Sequence, residues 1–360
     1  MGRLREDQAL EWLSGFINSE AKLPTTPQEF NLPRTAALLG LLGDPQHAYP
    51  AVVIAGTKGK GSTAAMTEAI LRAAGLRVGL YTSPHLHTLR ERIQIDRRLI
   101  TPPALADHVA QLQPVVSALN PAFGPLSTYE VITALALHFF AAQQVDLAVL
   151  EIGLGGRDDA VNVVTPRVSA ISAISYDHTQ ALGDTLAAIA THKAGIIKPG
   201  VPVVTVPQAP AAAQVIAARS ADLAAPLLVA TPEGLHDHTT GKLLDYPVAV
   251  QAATVSLRGE FQLENARLAC GVAYVLAGQG LAIPPAAIAR GLEGVAWPGR
   301  VETLRERPLI VADGAHNGHS AQQLMVTLRQ LFHFRQFHLV LAASSDKDLA
   351  AIAAALVPHA

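Results

Sequence analysis

The sequence predicts an α/β protein built on a parallel sheet, followed by a smaller α/β unit. Two observations carry this. Short apolar runs rich in β-branched residues alternate with longer stretches of helical spacing, the rhythm of strand–helix–strand units. The first such run, Ala51-Val-Val-Ile-Ala, breaks into Gly56-Thr57-Lys58-Gly59-Lys60-Gly61-Ser62 and then turns helical, so a glycine-rich loop feeds a helix N-terminus. The chain has 360 residues, half of them apolar, with 27 glycines and 24 prolines, enough for one large core or two domains with many turns.

In chain order, an amphipathic opening precedes a strand at 52–55 and a helix from Ser62. A strand at 78–81, a helix over 131–142 and a strand at 147–152 follow. Residues 168–175 read as a strand, 185–194 as a helix and 201–206 as a further strand. The less regular stretch 226–256, with a turn at Thr239-Thr-Gly241, reads as an antiparallel edge addition, and 263–277 returns to helical spacing. Trp297-Pro-Gly-Arg300 punctuates the chain and sets a boundary, giving domains 1–298 and 299–360. The second unit offers strands at 309–312 and 337–342 and a helix at 349–356. Two strands are few for a doubly wound domain, so the expectation is a fragment of a longer reading frame or a loosely packed second unit.

Composition narrows the function. A net charge of −2 with interspersed signs supplies neither a basic stripe for nucleic acid nor a polybasic membrane patch. Cys270 stands alone, which rules out a disulfide framework and agrees with a reducing, cytoplasmic setting. No signal-peptide core and no apolar run of membrane-spanning length is present.

Small-molecule chemistry fits the polar clusters. In the loop at 56–62, glycines let backbone amides close around phosphate oxygens and Lys60 adds a mobile charge, so ATP or GTP is the expected ligand. A glycine follows Lys60 where a Mg²⁺-holding hydroxyl usually stands, so the metal needs an oxygen ligand from elsewhere. Ser83 lies just after the second strand, and Glu151 within Leu147-Ala-Val-Leu-Glu151 is costly to bury unless something positive neutralises it, Mg²⁺ or, alternatively, Arg157. His178 in Tyr176-Asp-His178 is either a strand-end cap or a ligand. Lys193 taken alone reads as a helix-end lysine. Asp313-Gly-Ala-His316-Asn317 follows a strand, where ligands gather, or forms an Asp turn with a cap at Asn317.

Taken together, GTKGKGS, YTSPHLHTLRERI, STYE, EIGLGGRDDAVN, YDH, HKAGIIK, FQLENA, WPGR and DGAHN resemble the folylpolyglutamate synthase and dihydrofolate synthase family, within the Mur-type ATP-dependent amide ligases. The resemblance covers essentially the whole chain. It implies a Mur-ligase-type large domain with a phosphate loop and a smaller C-terminal domain that adds to the nucleotide and glutamate site. It further implies that Gly56, Thr57, Lys58, Gly59, Lys60, Gly61 and Ser62 wrap the ATP phosphates, that Ser83 and Glu151 hold a first Mg²⁺ and His178 a second, and that Lys193 carries a carbamate. Asn265 is then expected at the adenine, with Arg300, Asp313 and His316 approaching the nucleotide. Ser127, Thr128, Tyr129, Glu130, Asp158, Asp159 and Ala160 are expected around the pterin and benzoyl part of the substrate. Lys58, Val161 and Gly318 depart from the family's usual asparagine, threonine and proline, and none of these removes a metal ligand.

The implied reaction adds L-glutamate to a reduced folate or to dihydropteroate through an acyl phosphate, in folate biosynthesis and one-carbon metabolism, by a cytoplasmic monomer. Two competing readings are a peptidoglycan-precursor ligase of the wider Mur type and a nucleotide-binding remnant without turnover. GKGS, TSPHL and YDH disfavour the first.

Overall fold

The computed structural model describes residues 4–18, 31–244, 255–344 and 347–360. The chain divides into two compact units, Met1–Thr254 with Glu264–Gly294, and Val255–Leu263 with Val295–Ala360.

The first unit is organised by a nine-stranded sheet. Its strands are β1 (Ala51–Ala55), β2 (Val78–Tyr81), β3 (Ile93–Ile95), β4 (Arg98–Leu99), β5 (Leu147–Glu151), β6 (Val168–Ile171), β7 (Val203–Thr205), β8 (Leu227–Thr231) and β9 (Gly234–Asp237), in the order β4-β3-β2-β5-β1-β6-β7-β8-β9. The six strands from β2 to β8 in that order run parallel, while β3, β4 and β9 are antiparallel additions at the two edges. All five residues of β1 are buried, as expected of a parallel strand covered on both faces. Its register sets Ile54 against Glu151 on one side and Ala55 against Ile171 on the other.

Helices cover the sheet: α1 (Glu6–Ser14), α2 (Leu32–Leu41), α3 (Lys60–Ala73), α4 (Pro102–Ala118), α5 (Thr128–Ala142), α6 (Thr179–Leu182), α7 (Leu186–Ala194) and α8 (Pro210–Asp222), then α9 (Glu260–Gly278) and α10 (Pro285–Gly294). α5 starts earlier than its apolar run because Ser127 and Glu130 form a capping box ahead of it. The division between the units falls within α9.

Two expectations for the first unit need correction and one holds. The strand expected over 168–175 stops at Ile171, because after Ser172 N donates to Ala55 O the backbone leaves the ladder, Ala173 O accepting from the amides of Thr57 and Lys58 in the loop after β1 and Ile174 N donating to the Gln208 side chain. Within 226–256, β8 pairs parallel with β7 and only β9 is antiparallel, and residues 245–254 lie outside the described residues. The turn expected at Thr239–Gly241 is present, held by Asp237 accepting from the amide and hydroxyl of Thr240.

The second unit contains β10 (Glu302–Glu306) and β11 (Leu309–Ala312), which pair antiparallel, with α11 (Gly318–Leu331) and α12 (Leu349–Leu356). Val301, Ala321, Met325, Leu328, Ile352 and Leu356 form its core. The partner of β11 is β10, and residues 337–342 join no strand pairing. The period-2 pattern there is real, since Phe337, Leu339 and Leu341 rest on the core while Val340 is 98% exposed. Alternation creates an extended segment, but a strand also needs a neighbouring backbone to bond with. No helix among the described residues is long and apolar enough to cross a membrane.

Candidate active site

Four adjacent parallel strands, β2, β5, β1 and β6, deliver polar residues to one edge of the sheet, the carboxyl ends where α/β proteins bind ligands. After β1 comes the glycine loop. Gly56 has φ +147, and a Cβ there would overlap Ser172 Oγ at 1.9 Å. Gly59 has φ +81 and begins α3 as its N-cap in the left-handed region, which glycine enters without steric cost. The Thr57 and Lys58 amides both donate to Ala173 O, at 3.0 and 3.1 Å, so they serve the loop's shape. The amides at the start of α3, from Gly59 to Ser62, have no acceptor within the helix, the arrangement by which a helix N-terminus can face an anion.

At the ends of β2 and β5 the structure brings Ser83 and Glu151 together: the Ser83 amide donates to Glu151 Oε2 at 3.1 Å, and Glu151 is 4% exposed. The alternative partner, Arg157, is engaged elsewhere, at 3.0 Å from Asp158. Among the described residues no three His, Cys, Asp or Glu side chains gather into a metal cluster. A carboxylate beside a serine nevertheless suits Mg²⁺, which takes few protein oxygens and completes its shell with water and substrate phosphate.

On the other flank, after β6, Lys58 Nζ lies 3.1 Å from Asp177 Oδ2, and the other oxygen of Asp177 accepts the His178 amide at 3.0 Å. His178 is the left-handed N-cap of α6, with φ 49. Its imidazole Nε2 is 3.8 Å from Asp177 Oδ1.

Lys193, read from sequence alone as a helix-end residue, does lie in the last turn of α7, yet it is 4% exposed and donates to Gly56 O at 2.7 Å. Burial drives its pKa well below the usual lysine value, helped by the charge of Lys60, with Asp177 opposing. The site therefore makes the neutral amine easier to reach than it is for an exposed lysine.

The residues expected around the pterin and benzoyl part of the substrate form a separate network. Asp159 accepts from the amides of Gly153 and Leu154, each at 3.0 Å, from Val161 N at 2.9 Å and from the Tyr129 hydroxyl at 3.3 Å. Burial still raises its pKa to about 6. Tyr129, raised well above the normal phenol by burial, also accepts the Gly153 amide at 2.9 Å. Glu130 makes a two-point pair with Arg34, both contacts 2.8 Å, and closes the Ser127 capping box. Its carboxylate thus anchors α2 to α5. Thr128 Oγ1 donates to the carbonyls of Leu13 and Phe16 at 3.3 Å, and Asp158 carries Arg157. Ala160 follows in the short turn capped by Asp159. Sequence reasoning missed Arg34, 96 residues from Glu130, because nothing local marks it.

Asn265 lies against Gly59, where a Cβ would meet its Oδ1 at 2.0 Å. In the second unit, Asp313 accepts from the amides of Val301 and Ala315, both at 2.8 Å, and burial raises its pKa. Arg300 donates to Gly299 O at 2.9 Å and His316 Nδ1 lies 3.1 Å from Gly314 O. Asn317 caps α11 through Ser320 N, so the turn-and-cap architecture is realised beside the candidate residues.

Residues 299–360 match the family described as Mur ligase, glutamate ligase domain. A probable bifunctional folylpolyglutamate synthase/dihydropteroate synthase of Halobacterium salinarum is 43% identical over 334 residues, 89% of this chain and 40% of that protein. The folylpolyglutamate synthase of Lacticaseibacillus casei is 39% identical over 331 residues, 89% of this chain and 77% of that one. A folylpolyglutamate synthase solved with AMPPCP and folate superposes with a TM-score of 0.86 at 34% identity, covering 99% of this chain and 87% of the other. The chain thus spans less than half of the halobacterial relative and about three quarters of the L. casei one.

Proposed function

The chain belongs to the folylpolyglutamate synthase and dihydrofolate synthase family, and from that premise we propose that it uses ATP to join L-glutamate to a reduced folate or to dihydropteroate. One observation carries the reading: the glycine loop, the Ser83–Glu151 pair and the Asp177–His178 segment stand at the carboxyl ends of adjacent parallel strands. An oxygen-ligated cation and a triphosphate would share that edge.

In the proposed reaction an acceptor carboxylate oxygen attacks the γ-phosphorus of ATP, the bond to the β-γ bridging oxygen breaks, and ADP leaves an acyl phosphate behind. The neutral amine of glutamate then attacks the acyl carbon. The tetrahedral species expels phosphate, the nitrogen gives up its proton and an amide remains. The amides at the start of α3 orient the phosphates, and Lys60 balances charge on the transferred group. Ser83 and Glu151 are the proposed ligands of one Mg²⁺ and His178 of a second. Mg²⁺ when bound supplies charge neutralisation and orientation of phosphoryl oxygens.

Lys193 is the proposed carbamate. A neutral amine adds CO₂ and releases one proton, giving an anion near Lys58 and Lys60, and the carbamate nitrogen keeps one N–H for Gly56 O. Tyr129, Asp159 and neighbouring residues at 127–130 and 158–160 are proposed to face the acceptor, Asn265 the adenine, and Arg300, Asp313 and His316 to be the nucleotide-contacting groups of the second unit. A cytoplasmic monomer acting on small molecules completes the proposed reading, and Cys270 is buried and free.

The test is incorporation of radiolabelled glutamate with Mg-ATP and a panel of dihydropteroate, reduced folate and a UDP-muramoyl acceptor, read as product chain length. Label entering a pteroyl product, and its loss in Lys60→Ala at unchanged melting temperature, is expected. Label entering only the muramoyl product, or ATP binding without turnover for any acceptor, would overturn the assignment.

A further inference from the structure

The phosphate loop is stapled to the segment after β6 at three alternate residues. Thr57 N and Lys58 N reach Ala173 O, Thr57 Oγ1 donates to Ser175 O at 3.0 Å, and Lys58 Nζ donates to Asp177 Oδ2 at 3.1 Å. The first two positions are met by backbone and by a hydroxyl. The third depends on a charged side chain reaching a charged side chain.

That last contact does more than extend the staple. Asp177 uses its second oxygen on the amide of His178, so one carboxylate joins Lys58 to a residue at φ 49 and ψ 39. Left-handed backbone is uncommon for a residue with a side chain, although histidine adopts it more readily than most, so contacts that hold the conformation have a strain to offset. The ion pair is well enclosed, with side-chain exposures of 20% for Lys58 and 14% for Asp177, so water competes with it less than at an open surface. His178 in turn starts α6: its carbonyl accepts the amides of Ala181 at 2.9 Å and Leu182 at 3.0 Å.

We propose that Lys58 is a positioning residue that acts through Asp177: it holds His178 in its left-handed conformation and ties the start of α6 to the phosphate loop. The link is built from this chain's own side chains. It rests on the proposed function only in making His178 a metal ligand.

The direct test is rapid-mixing hydrogen exchange of the peptide 179–183 in metal-free, nucleotide-free protein. Lys58→Met and Asp177→Asn should each speed its exchange by about fivefold, the scale of a partly enclosed ion pair, with no further gain in the double variant and recovery in Lys58→Arg. Unchanged exchange in Lys58→Met, or fully additive effects, would overturn the proposal. Lys58 also belongs to the phosphate loop, so its effect on ATP binding is a separate quantity, and exchange in nucleotide-free protein reports the positioning role alone. Finally, Lys58→Met should raise the Mg²⁺ midpoint of turnover in the same direction as His178→Ala. If His178→Ala leaves that midpoint unmoved while the exchange result holds, the metal role of His178 falls and the positioning role stands.

Discussion

Replacing Gly59 by alanine separates two sources of constraint in the phosphate loop. The residue sits at φ +81, and an added Cβ would lie 2.0 Å from Asn265 Oδ1 and 2.8 Å from its Cγ. The left-handed backbone costs an alanine about 1 kcal/mol. Real Cβ atoms keep roughly 3.0 Å from such neighbours, so Asn265 must also retreat by about 1 Å from a position that is 5% exposed. Displacing a packed side chain costs roughly 1–3 kcal/mol. Gly59→Ala should therefore destabilise the first unit by about 2–4 kcal/mol and weaken ATP binding. Urea denaturation of wild type, Gly59→Ala, Asn265→Ala and the double variant resolves the parts. In the Asn265→Ala background the steric part disappears, and the glycine substitution should cost only the ~1 kcal/mol of backbone strain. Equal costs in the two backgrounds, at constant m-value, would show that Asn265 does not constrain the loop.

Three further outcomes are expected. Glu151→Gln should raise the Mg²⁺ concentration needed for turnover more than Ser83→Ala, and a wild-type titration curve for Glu151→Gln would remove it from the metal site. Activity in CO₂-depleted buffer should recover with bicarbonate, and Lys193→Ala should be partly rescued by a small carboxylate; full activity of Lys193→Ala without additives would discard the carbamate. His108 and His138 place their Nδ1 atoms 3.0 Å apart between α4 and α5, and burial first, then the His138 charge, lowers the His108 pKa to about 4. Because the folded value lies below the unfolded value of about 6.5, the stability from keeping His108 neutral is present above that pH and is lost as pH falls toward 4, about 2 kcal/mol of it by pH 5. Urea midpoints at pH 7 and pH 5 should show this drop in wild type and a smaller one in His108→Leu; equal drops would exclude His108 as its source.

Local pattern carried much of the fold. The strand expected at 78–81 coincides with β2, and that at 309–312 with β11, because an apolar run bounded by turn residues is a local signal. What the pattern could not carry is the partner. Residues 337–342 alternate like a strand and find no ladder, whereas β10, polar in sequence and largely exposed, pairs with β11. The β3–β4 hairpin escaped notice because its turn uses Asp96 and Arg97 at positive φ in place of glycine. At the site, glycines and isolated charges after apolar runs marked which residues reach the sheet edge. Their mutual arrangement is a property of the folded chain: Ser127 and Glu130 are legible as a capping box, but Arg34 is not, and the burial of Lys193 depends on a carbonyl 137 residues away.

That distance has a consequence for how the molecule comes into being. The glycine loop is short and contiguous, yet its floor is laid by Ala173 and Ser175 and its wall by Lys193, more than 100 residues further along the chain. β1 likewise acquires both neighbours, β5 and β6, from distant segments. A growing polypeptide that has not reached β6 holds the glycines but no cradle, and each closure must precede the contacts that reward it. Competence to bind nucleotide is then acquired late and all at once, as the β1–β6 pairing completes. ATP should accordingly leave early collapse untouched and, by mass action, draw only sheet-complete molecules toward the native state, so refolding yield rises with nucleotide while the first kinetic phase does not change.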